Sequence, residues 1–292
     1  MPGGGIVTIF FAGECISPDF NIFDYAIVFD RHLKNGDRVG RKPTLSFYRA
    51  SLFNEFIGKT ISKEDLQKKT KFCNFLYSNG NANPCRDALF YELSKYKTVD
   101  SLGKHLNNTG RKPDRGQREW RKSSITCREE YKFSIAAENA CFLGYTSEKI
   151  LSCLQAKTIP VYWGDPSISE ELNPKAFINC HQYESFEEVV KEVEKIDNDD
   201  ELYLQIVNEP WQTKEQIEKN IAADEAYHEF IRNIFTQEKQ KAKRTFTGTH
   251  PDSYRYWFFN GFKIEIPRLI KKKIKKLRRV YAQARKSSRK HK

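Results

Sequence analysis

Short apolar runs alternate with helical patterns along the first half of the chain. Runs of β-branched and aromatic residues at 6–11, 25–29 and 71–78 are bounded by Gly, Pro, Asp or Asn, and they predict strands. Residues 86–96 carry apolar side chains three or four apart, which predicts a helix. Arg86 therefore falls in the first turn of a helix that follows a strand. Residues 30–60 show no readable pattern.

A second unit of the same kind follows a polar, basic stretch at 101–122, which predicts a surface loop. Residues 131–137 predict a strand, 147–155 a helix and 158–163 another strand. A strand, a helix and a strand in this order form a crossover, and a crossover implies a parallel sheet. Helical spacing predicts three further helices, at 186–196, 202–207 and 214–239.

The start of the helix predicted at 147–155 carries the first candidate chemistry. In open α/β sheets, ligands bind beyond the carboxyl ends of the strands, where a helix N-terminus offers unpaired N–H groups to phosphate. Thr146 or Ser147 can cap this helix, and Lys149 lies in its first turn. The helix dipole disfavours a cation at that end unless an anion is close. The pattern indicates an anionic ligand; the alternative is a solvated Lys149 beside a favourably placed Glu148.

Four sequence blocks surround this helix in a fixed order. They read YKFSIAAEN at 131–139, GYTSEKI at 144–150, IPVYWGDP at 159–166 and LNPKAFI at 172–178. Together they resemble the donor-binding signature of the bacterial-type α-1,3/4-fucosyltransferases, glycosyltransferase family 10. NPCRDALF at 83–90 resembles the arginine-bearing helix start of that family, and the segment 10–27 resembles its acceptor-side loop. The resemblance covers about residues 10–211.

The resemblance implies an α/β fold of the GT-B kind, in which two Rossmann-like domains face a cleft. It also implies transfer of L-fucose from GDP-fucose with inversion, without a metal or another cofactor. Glu14 would be the general base that takes the proton of the acceptor hydroxyl. Glu148 would bind fucose or stabilise positive charge at its anomeric carbon.

The remaining residues implied by the resemblance belong to the donor site. Arg86 would pair with the diphosphate, and Lys149 would offset the charge that builds on GDP as the glycosidic bond breaks. Asn139 and Tyr145 would contact the nucleotide or the sugar, and Glu138 completes the donor-binding set. The acceptor implied is an N-acetylglucosamine-containing glycan, with an α-1,3 or α-1,4 linkage.

The predicted organisation has four parts: a partial acceptor-side domain at 1–66, a donor domain at 67–211, a helical segment at 212–265 and a basic tail at 266–292. Only six residues precede Val7, whereas members of the resembled family carry roughly another half-domain there. The N-terminal Rossmann-like domain is therefore expected to be incomplete. The alternatives are a truncated or non-catalytic fragment that binds a GDP-sugar, and a GT-B transferase that uses another nucleotide sugar.

The net charge of +12 is concentrated at the C-terminus. Thirteen of the 50 Lys and Arg residues lie within 268–292, which leaves 37 basic residues against 38 acidic ones elsewhere. Apolar residues three or four apart at 266–284 predict a basic amphipathic helix, for which association with an anionic membrane is the preferred interpretation; the alternatives are a solvated tail and contact with nucleic acid, for which no interleaved stacking aromatics or groove-reading motif is present. Its cations include Lys271, Lys272, Lys273, Lys275, Lys276, Arg278 and Arg279. With no apolar run long enough to span a bilayer and no export signal, the expected location is cytoplasmic, peripheral on the inner membrane face.

Cysteine and histidine patterns give no support for a metal site. The seven cysteines are scattered without a Cys-x-x-Cys pair, which favours reduced thiols, and the six histidines show no zinc-binding spacing. Residues 197–199 read Asp-Asn-Asp, a form that binds metal–nucleotide in a different glycosyltransferase fold. Because this stretch lies between two predicted helices, a solvated turn is the preferred interpretation.

Overall fold

The computed structural model describes residues 6–41, 60–111, 120–246 and 248–260. The chain divides into two units. One is Val7–Arg244, and the other combines Met1–Ile6 with Thr245–Lys292. All candidate residues named above, except those of the basic tail, lie in Val7–Arg244.

The first sheet of this unit has three parallel strands, β1 (Ile9–Phe11), β2 (Tyr25–Val28) and β3 (Val39–Arg41), in that order. The central strand β2 is buried along its whole length. The predicted strands at 6–11 and 25–29 are therefore confirmed with shorter bounds. Strand β3 lies in the stretch 30–60, for which the sequence predicted no element. It was missed because it is only three residues long and has a glycine at its centre.

The second sheet has five parallel strands in the order β5-β4-β6-β7-β8. They are β4 (Lys71–Phe75), β5 (Val99–Ser101), β6 (Tyr131–Ala137), β7 (Ile159–Trp163) and β8 (Ile178–Asn179). The predicted parallel sheet is confirmed. Chain order runs outward in opposite directions from β4 and from β6, so the order reverses between these two strands. Ligands of open α/β sheets bind at such a switch point, beyond the carboxyl ends of the flanking strands.

Eight α-helices are described in the Val7–Arg244 unit. They are α1 (Lys63–Gln67), α2 (Cys85–Tyr96), α3 (Trp120–Thr126), α4 (Glu148–Gln155), α5 (Phe186–Asp197), α6 (Asp200–Val207), α7 (Lys214–Thr236) and α8 (Lys239–Ala242). The other unit contains α9 (Thr249–Asn260). The predicted helices are present with ends shifted by one to three residues. The surface loop predicted at 101–122 was wrong at both ends, because β5 ends at Ser101 and α3 begins at Trp120.

Both faces of the second sheet are covered by apolar side chains. One face packs Phe75 and Phe133 against Leu89 and Leu93 of α2, and all four are buried. The other face packs Tyr162 of β7 against α4. Burial on both faces explains why β7 appears in the sequence as a continuous apolar run rather than as an alternating one.

Helix α7 returns to the first sheet. A Cβ atom at Gly40 of β3 would lie 2.2 Å from Cδ1 of Phe230, so only glycine permits this close approach of helix and strand. The Phe230 ring also contacts Tyr25 of β2 at 6.1 Å between centroids. The sequence-based domain prediction set residues 212–265 apart as a helical segment, whereas α7 forms part of the packing around the first sheet.

The Asp-Asn-Asp stretch at 197–199 forms the turn between α5 and α6, but the prediction that it is solvated was wrong for Asp197. Its side chain is 4% exposed and pairs with Lys97 and with Lys132, the latter at 3.0 Å. Burial opposes its charge, yet the hydrogen bonds from both lysines lower the pKa of Asp197. Asp199 caps α6 by accepting from two backbone N–H groups. Both carboxylates therefore have structural partners.

Within the described ranges, no helix combines the length and the apolar content needed to cross a lipid bilayer. The predicted basic tail at 266–292 lies outside the described residues. Its membrane association therefore stays a prediction.

Candidate active site

Glu14 lies at the meeting point of the two sheets. It follows β1, and its side chain is exposed. The Asn139 amide Nδ2 lies 3.3 Å from each Glu14 carboxylate oxygen, and the Tyr145 hydroxyl donates to Oε2. Burial and this contact with Glu14 raise the pKa of Tyr145. The structure thus joins the predicted base to two predicted donor-site residues that are more than 120 positions away in the sequence.

Arg86 sits beside this group at the switch point. Its guanidinium donates through Nη1 to Asn139 Oδ1 at 3.3 Å and through Nη2 to the Asn79 carbonyl at 2.6 Å. The Asn83 N–H donates to the Asn139 carbonyl at 2.9 Å, which ties the loop after β4 to the loop after β6. Arg86, Asn139, Glu14 and Tyr145 therefore form one connected polar network across the crevice.

The Arg86 side chain is buried more deeply than a phosphate-binding arginine was expected to be. It is 1% exposed, and its guanidinium carbon lies 4.6 Å from the centroid of the Tyr77 ring. The Tyr77 hydroxyl is itself fixed, because it donates to the Ala137 carbonyl at 2.9 Å and accepts from the Ala137 N–H at 2.6 Å. Bidentate contact with a diphosphate requires Arg86 to release one of its partners or to use its remaining N–H groups.

Tyr77 and Asn79 are positioning residues that sequence reasoning missed. Tyr77 was assigned to the end of the strand predicted at 71–78, but β4 ends at Phe75. The Tyr77 side chain therefore lies beyond the strand and reaches the backbone of β6. Asn79 acts through its backbone carbonyl, which no side-chain pattern reports. The only feature of the sequence that could have indicated Tyr77 and Asn79 was their position between a predicted strand and the helix that carries Arg86.

A second cluster forms around Glu138, which is fully buried. Its carboxylate accepts from the Ser147 N–H at 2.8 Å, from the Ser147 hydroxyl at 2.8 Å and from Lys149 Nζ at 2.7 Å. Lys149 Nζ also donates to the Ser147 hydroxyl at 2.8 Å. All these groups lie at the N-terminus of α4, where a carboxylate is stabilised by the helix dipole.

This arrangement corrects two expectations. Ser147 occupies the N-cap position, but neither it nor the alternative Thr146 caps α4 through its side chain; the Ser147 hydroxyl is bound to Glu138, and that of Thr146 donates to Asp165. The anion that accompanies Lys149 is the internal Glu138 carboxylate. Lys149 at a helix N-terminus is therefore explained without a ligand, and the residue pattern alone does not require phosphate there.

Burial and the charges of three carboxylates act on the pKa of Lys149, which is paired directly with Glu138. Burial opposes its charge, but Glu138, Glu148 and Glu14 together raise the pKa of Lys149 above its ordinary value. Glu148 is half-buried at the first position of α4. Glu14, which follows β1, and Glu148, the first residue of α4, are the predicted catalytic pair, and the charges of both contribute to this raised pKa.

A cavity of about 190 Å³ opens beside Glu14. Its wall is mainly apolar, with Ile16, Phe29 and Phe142 among the lining residues, and Asp30 and Ser17 add polar atoms. A larger cavity of about 630 Å³ lies where β4 and β6 begin, against Lys71 and Tyr131. Because ligands of parallel sheets bind at the opposite ends of the strands, we assign the site to the smaller cavity next to Glu14.

No group of three or more His, Cys, Asp or Glu side chains in the described part of the chain has the arrangement of a metal site. The polar residues of the crevice are instead bonded to one another. The crevice presents an exposed carboxylate (Glu14), a buried guanidinium (Arg86) and a lysine (Lys149) paired with Glu138.

Comparison with known proteins places this arrangement in a family. Residues 66–248 match the sequence profile described as glycosyltransferase family 10 (fucosyltransferase) C-term. The chain belongs to glycosyltransferase family 10. Residues 5–48 additionally match a profile described as the alpha-(1,3)-fucosyltransferase FucT N-terminal domain. The predicted family is confirmed, and both Glu14 and the Glu138–Lys149 loop fall within the matched regions.

Relatives of this family-10 chain include bacterial, viral and vertebrate proteins. It is 30% identical over 232 residues to the alpha-(1,3)-fucosyltransferase FucT of Helicobacter pylori, covering 69% of this chain and 46% of that protein. It is 36% identical over 157 residues to the putative fucosyltransferase R654 of Acanthamoeba polyphaga mimivirus, covering 52% and 26%. The GDP-fucose protein O-fucosyltransferase 3 of Xenopus tropicalis is 28% identical over 201 residues, covering 65% and 40%. The chain spans less than half the length of each of these relatives.

The structure resembles solved family structures over most of its length. A crystal structure of an alpha1,3-fucosyltransferase with GDP-fucose superposes with a TM-score of 0.62 at 26% identity, covering 79% of this chain and 75% of that one. A second crystal structure of alpha1,3-fucosyltransferase gives 0.59 at 27% identity, covering 76% and 72%. The predicted GT-B-like α/β fold is confirmed, while the C-terminal helix lies outside the described residues.

Proposed function

We propose that this protein transfers L-fucose from GDP-fucose to a hydroxyl of an N-acetylglucosamine-containing glycan, with inversion at the anomeric carbon. The observation that carries the proposal is the meeting of Glu14 with Asn139 and Tyr145 at the switch point of the donor sheet. One carboxylate from the first sheet thereby faces the loop at which a nucleotide binds in this class of fold. Membership of a fucosyltransferase family supports fucose as the transferred sugar.

The donor end of the reaction is assigned to Arg86, Lys149 and Glu148. The diphosphate carries negative charge that grows as the bond to fucose breaks, and the two cations lower the energy of that state. Lys149 is held in place by Glu138 and Ser147, so it needs little reorganisation to act. Glu148 lies in the same first turn of α4, where its charge stabilises positive character at the anomeric carbon.

The acceptor end is assigned to Glu14. The acceptor oxygen forms a bond to the anomeric carbon of fucose while the bond to GDP breaks on the opposite face. The hydroxyl proton passes to a Glu14 oxygen, and GDP leaves with the bonding electron pair. Tyr145 and Asn139 orient the carboxylate through hydrogen bonds, and the incoming hydroxyl replaces one of these donors.

A glycan acceptor is favoured over a protein acceptor by two findings. The first-sheet region matches an alpha-(1,3)-fucosyltransferase N-terminal profile, and the bacterial relative is more similar over a greater length than the vertebrate protein O-fucosyltransferase. The apolar wall of the cavity beside Glu14 offers a surface for the carbon face of a sugar or for an acetamido methyl group. We therefore assign an N-acetyllactosamine-like terminus, with an α-1,3 or α-1,4 linkage.

The test is a release assay for GDP, with GDP-fucose as donor and N-acetyllactosamine as acceptor. We expect acceptor-dependent GDP release, and NMR of the product distinguishes the 1,3 linkage from the 1,4 linkage. GDP-mannose serves as the matched donor control, and a Ser/Thr-bearing folded protein domain as the alternative acceptor. If the protein binds GDP but none of these mixtures shows acceptor-dependent release of GDP from the donor, the enzymatic assignment is contradicted, and a donor-binding protein is supported.

We further propose that the basic segment at 266–292 binds the anionic inner face of a membrane. Each Lys or Arg near such a surface contributes about 1 kcal/mol, so the seven cations from Lys271 to Arg279 suffice for attachment. The test is co-sedimentation of the full chain with vesicles of phosphatidylglycerol, and with phosphatidylcholine alone as control. Replacement of all seven cations by Gln should abolish sedimentation with the anionic vesicles. Equal binding to both vesicle types contradicts the electrostatic assignment.

A further inference from the structure

An ion-pair cluster outside the catalytic network joins the first sheet to the second. Arg31, which follows β2, donates from Nη2 to Glu171 Oε1 at 3.0 Å. Arg41, the last residue of β3, donates to the same oxygen. Arg31 also pairs with Glu170 and lies 3.6 Å from Asp165 Oδ2. Two arginines on the side of the first sheet thus form ion pairs with three carboxylates that follow β7 of the second sheet.

Two of the three carboxylates, Glu171 and Asp165, are buried and anchored, whereas Glu170 is exposed. The Glu171 side chain is 5% exposed, and its backbone carbonyl accepts from Gln212 Nε2 at 2.8 Å and from Asn220 Nδ2 at 3.2 Å. Asp165 is fully buried and accepts from the Thr146 hydroxyl at 3.2 Å. An ion pair with buried, anchored partners resists separation far more than an exposed one, because breaking it leaves a charge without compensation.

The same part of the first sheet also contacts the donor loop directly. Gly144 has a φ of +83°, and a Cβ atom there would lie 2.4 Å from the Phe29 carbonyl oxygen and 2.8 Å from Arg31 Cγ. The Phe29 ring packs on that of Tyr145 with 5.4 Å between centroids. Arg41 Nε donates to the Phe29 carbonyl at 3.2 Å, which fixes the end of β2 from the other side.

This cluster bears on catalysis through the position of Glu14. Glu14 follows β1, which pairs with β2 in register from Ile9 opposite Tyr25, so holding the end of β2 also holds the loop that carries Glu14. On the other side, Asp165 binds Thr146, the residue next to Tyr145. The ion pairs and the glycine contact therefore connect to both partners of the Glu14–Tyr145 hydrogen bond.

We propose that Arg31 and Glu171 are positioning residues that set the Glu14 carboxylate against the donor site. This inference rests on the proposed fucosyl transfer, because its effect is exerted on the acceptor-activating step. Loss of the pair allows the first sheet to shift relative to the donor loop, and a displacement of about 1 Å at a reacting group can cost up to roughly a hundredfold in rate. The donor site itself stays assembled, since Arg86, Glu138 and Lys149 do not touch Arg31 or Glu171 in the described structure.

The experiment compares Arg31→Met, Arg31→Lys and Arg244→Met in the full chain. Arg244 pairs with Asp37 near the opposite end of β3, so Arg244→Met removes an ion pair of the same sheet away from the donor loop. We expect Arg31→Met to lower kcat for transfer between about ten- and a hundredfold, with GDP affinity unchanged by calorimetry. Arg31→Lys should restore most of kcat, because lysine keeps a cation near Glu171 and Asp165. Arg244→Met should leave kcat within about twofold.

An unchanged kcat in Arg31→Met, or an equal loss of kcat and of GDP affinity, overturns the proposal. If the unaltered chain shows no transfer, the proposed function fails independently of this inference. The Arg31–Glu171 pair is then tested by the free energy of unfolding. In a cycle of Arg31→Met, Glu171→Gln and the double variant, a genuine pair predicts that the double variant loses less stability than the sum of the two single losses. Strictly additive losses of stability show that the two residues are not coupled and reject the inference.

Discussion

Glu14 and Glu138 are two carboxylates at the same crevice with opposite surroundings. Glu138 is fully buried, and its oxygens accept from Ser147 and Lys149. Glu14 is exposed and accepts from a tyrosine hydroxyl and an asparagine amide, both neutral donors. A carboxylate fixed by a cation and shielded from solvent cannot meet an acceptor sugar, whereas an exposed one can. Under the proposed function, burial and partner type therefore assign a supporting role to Glu138 and the catalytic role to Glu14.

The comparison also explains why the two carboxylates come from different sheets. Glu138 follows β6 directly and is placed by the donor sheet itself. Glu14 belongs to the first sheet and reaches the donor loop only because the two sheets are held together. Under the proposed function, donor binding can therefore survive changes that abolish transfer, and the Glu14 prediction below separates the two.

The largest effect is expected for Glu138→Gln on folding stability. The variant leaves Lys149 without its closest anion, and we expect a loss of about 3 kcal/mol, the lower end for breaking a buried pair. The lower end applies because the Lys149 side chain is 20% exposed. Urea unfolding monitored by fluorescence measures this loss in the free energy of unfolding. Glu187→Gln, which removes an exposed acid from the first turn of α5, is the matched control and should stay within about 0.5 kcal/mol. Equal stability of the two variants would contradict the supporting role of Glu138.

Next in size is the effect of Glu14→Gln on turnover. Glutamine retains an oxygen that can accept from Tyr145 but cannot take the acceptor proton, so kcat should fall at least about a hundredfold. GDP affinity, measured by calorimetry, should not change, because Glu14 lies on the acceptor side. If turnover persists, the base is another group and Glu14 only orients the acceptor.

The donor half of this comparison could be predicted from the sequence, whereas the other half could be predicted only for strands β1 and β2. Strand β7 is buried at every position and β6 at all but one, so both strands are rich in apolar residues, and the sequence alone predicts them and the intervening helix α4. Strand β3 has three residues with a glycine at its centre, too few for any periodicity. The family resemblance, rather than a residue pattern, singled out Glu14.

The partners of the charged residues were the least predictable feature. The sequence predicted an anionic ligand as the partner of Lys149, but its anionic partner is the Glu138 carboxylate, which directly follows the preceding strand β6. Arg31 and Glu171 are 140 positions apart, and nothing in either local pattern indicates that they meet. Charge pairing depends on how the sheets are packed, and sequence periodicity reports only which face of an element is buried.

A smaller effect is expected for Lys149 on GDP affinity. The single variant Lys149→Met also leaves Glu138 buried without a cation, so its stability falls for a reason unrelated to the nucleotide. The informative background is therefore Glu138→Gln, in which the carboxylate charge is already gone. Adding Lys149→Met to it should weaken GDP binding by about 1.5 kcal/mol, or roughly tenfold, the lower range for a hydrogen bond to a charged group. Calorimetry with GDP measures the step, and equal affinity of the two variants removes Lys149 from the phosphate site.

The smallest effect concerns His181 and pH. Its ring stacks on Trp163 at 6.0 Å, and its Nε2 lies 3.2 Å from the backbone N–H of Gly164, so the neutral ring can accept there. Burial lowers the pKa of His181 below its ordinary value of 6.5. Because the unfolded chain then binds this proton more readily than the folded one, stability contributed by His181 is present above pH 6.5 and is lost as the pH falls through the lowered pKa. His181→Gln keeps an acceptor for Gly164 but cannot titrate, so the variant should lose less stability than the unaltered chain between pH 7.5 and 5. The difference should be small because the ring is half exposed, and parallel pH profiles from urea unfolding would show that His181 titrates alike in both states.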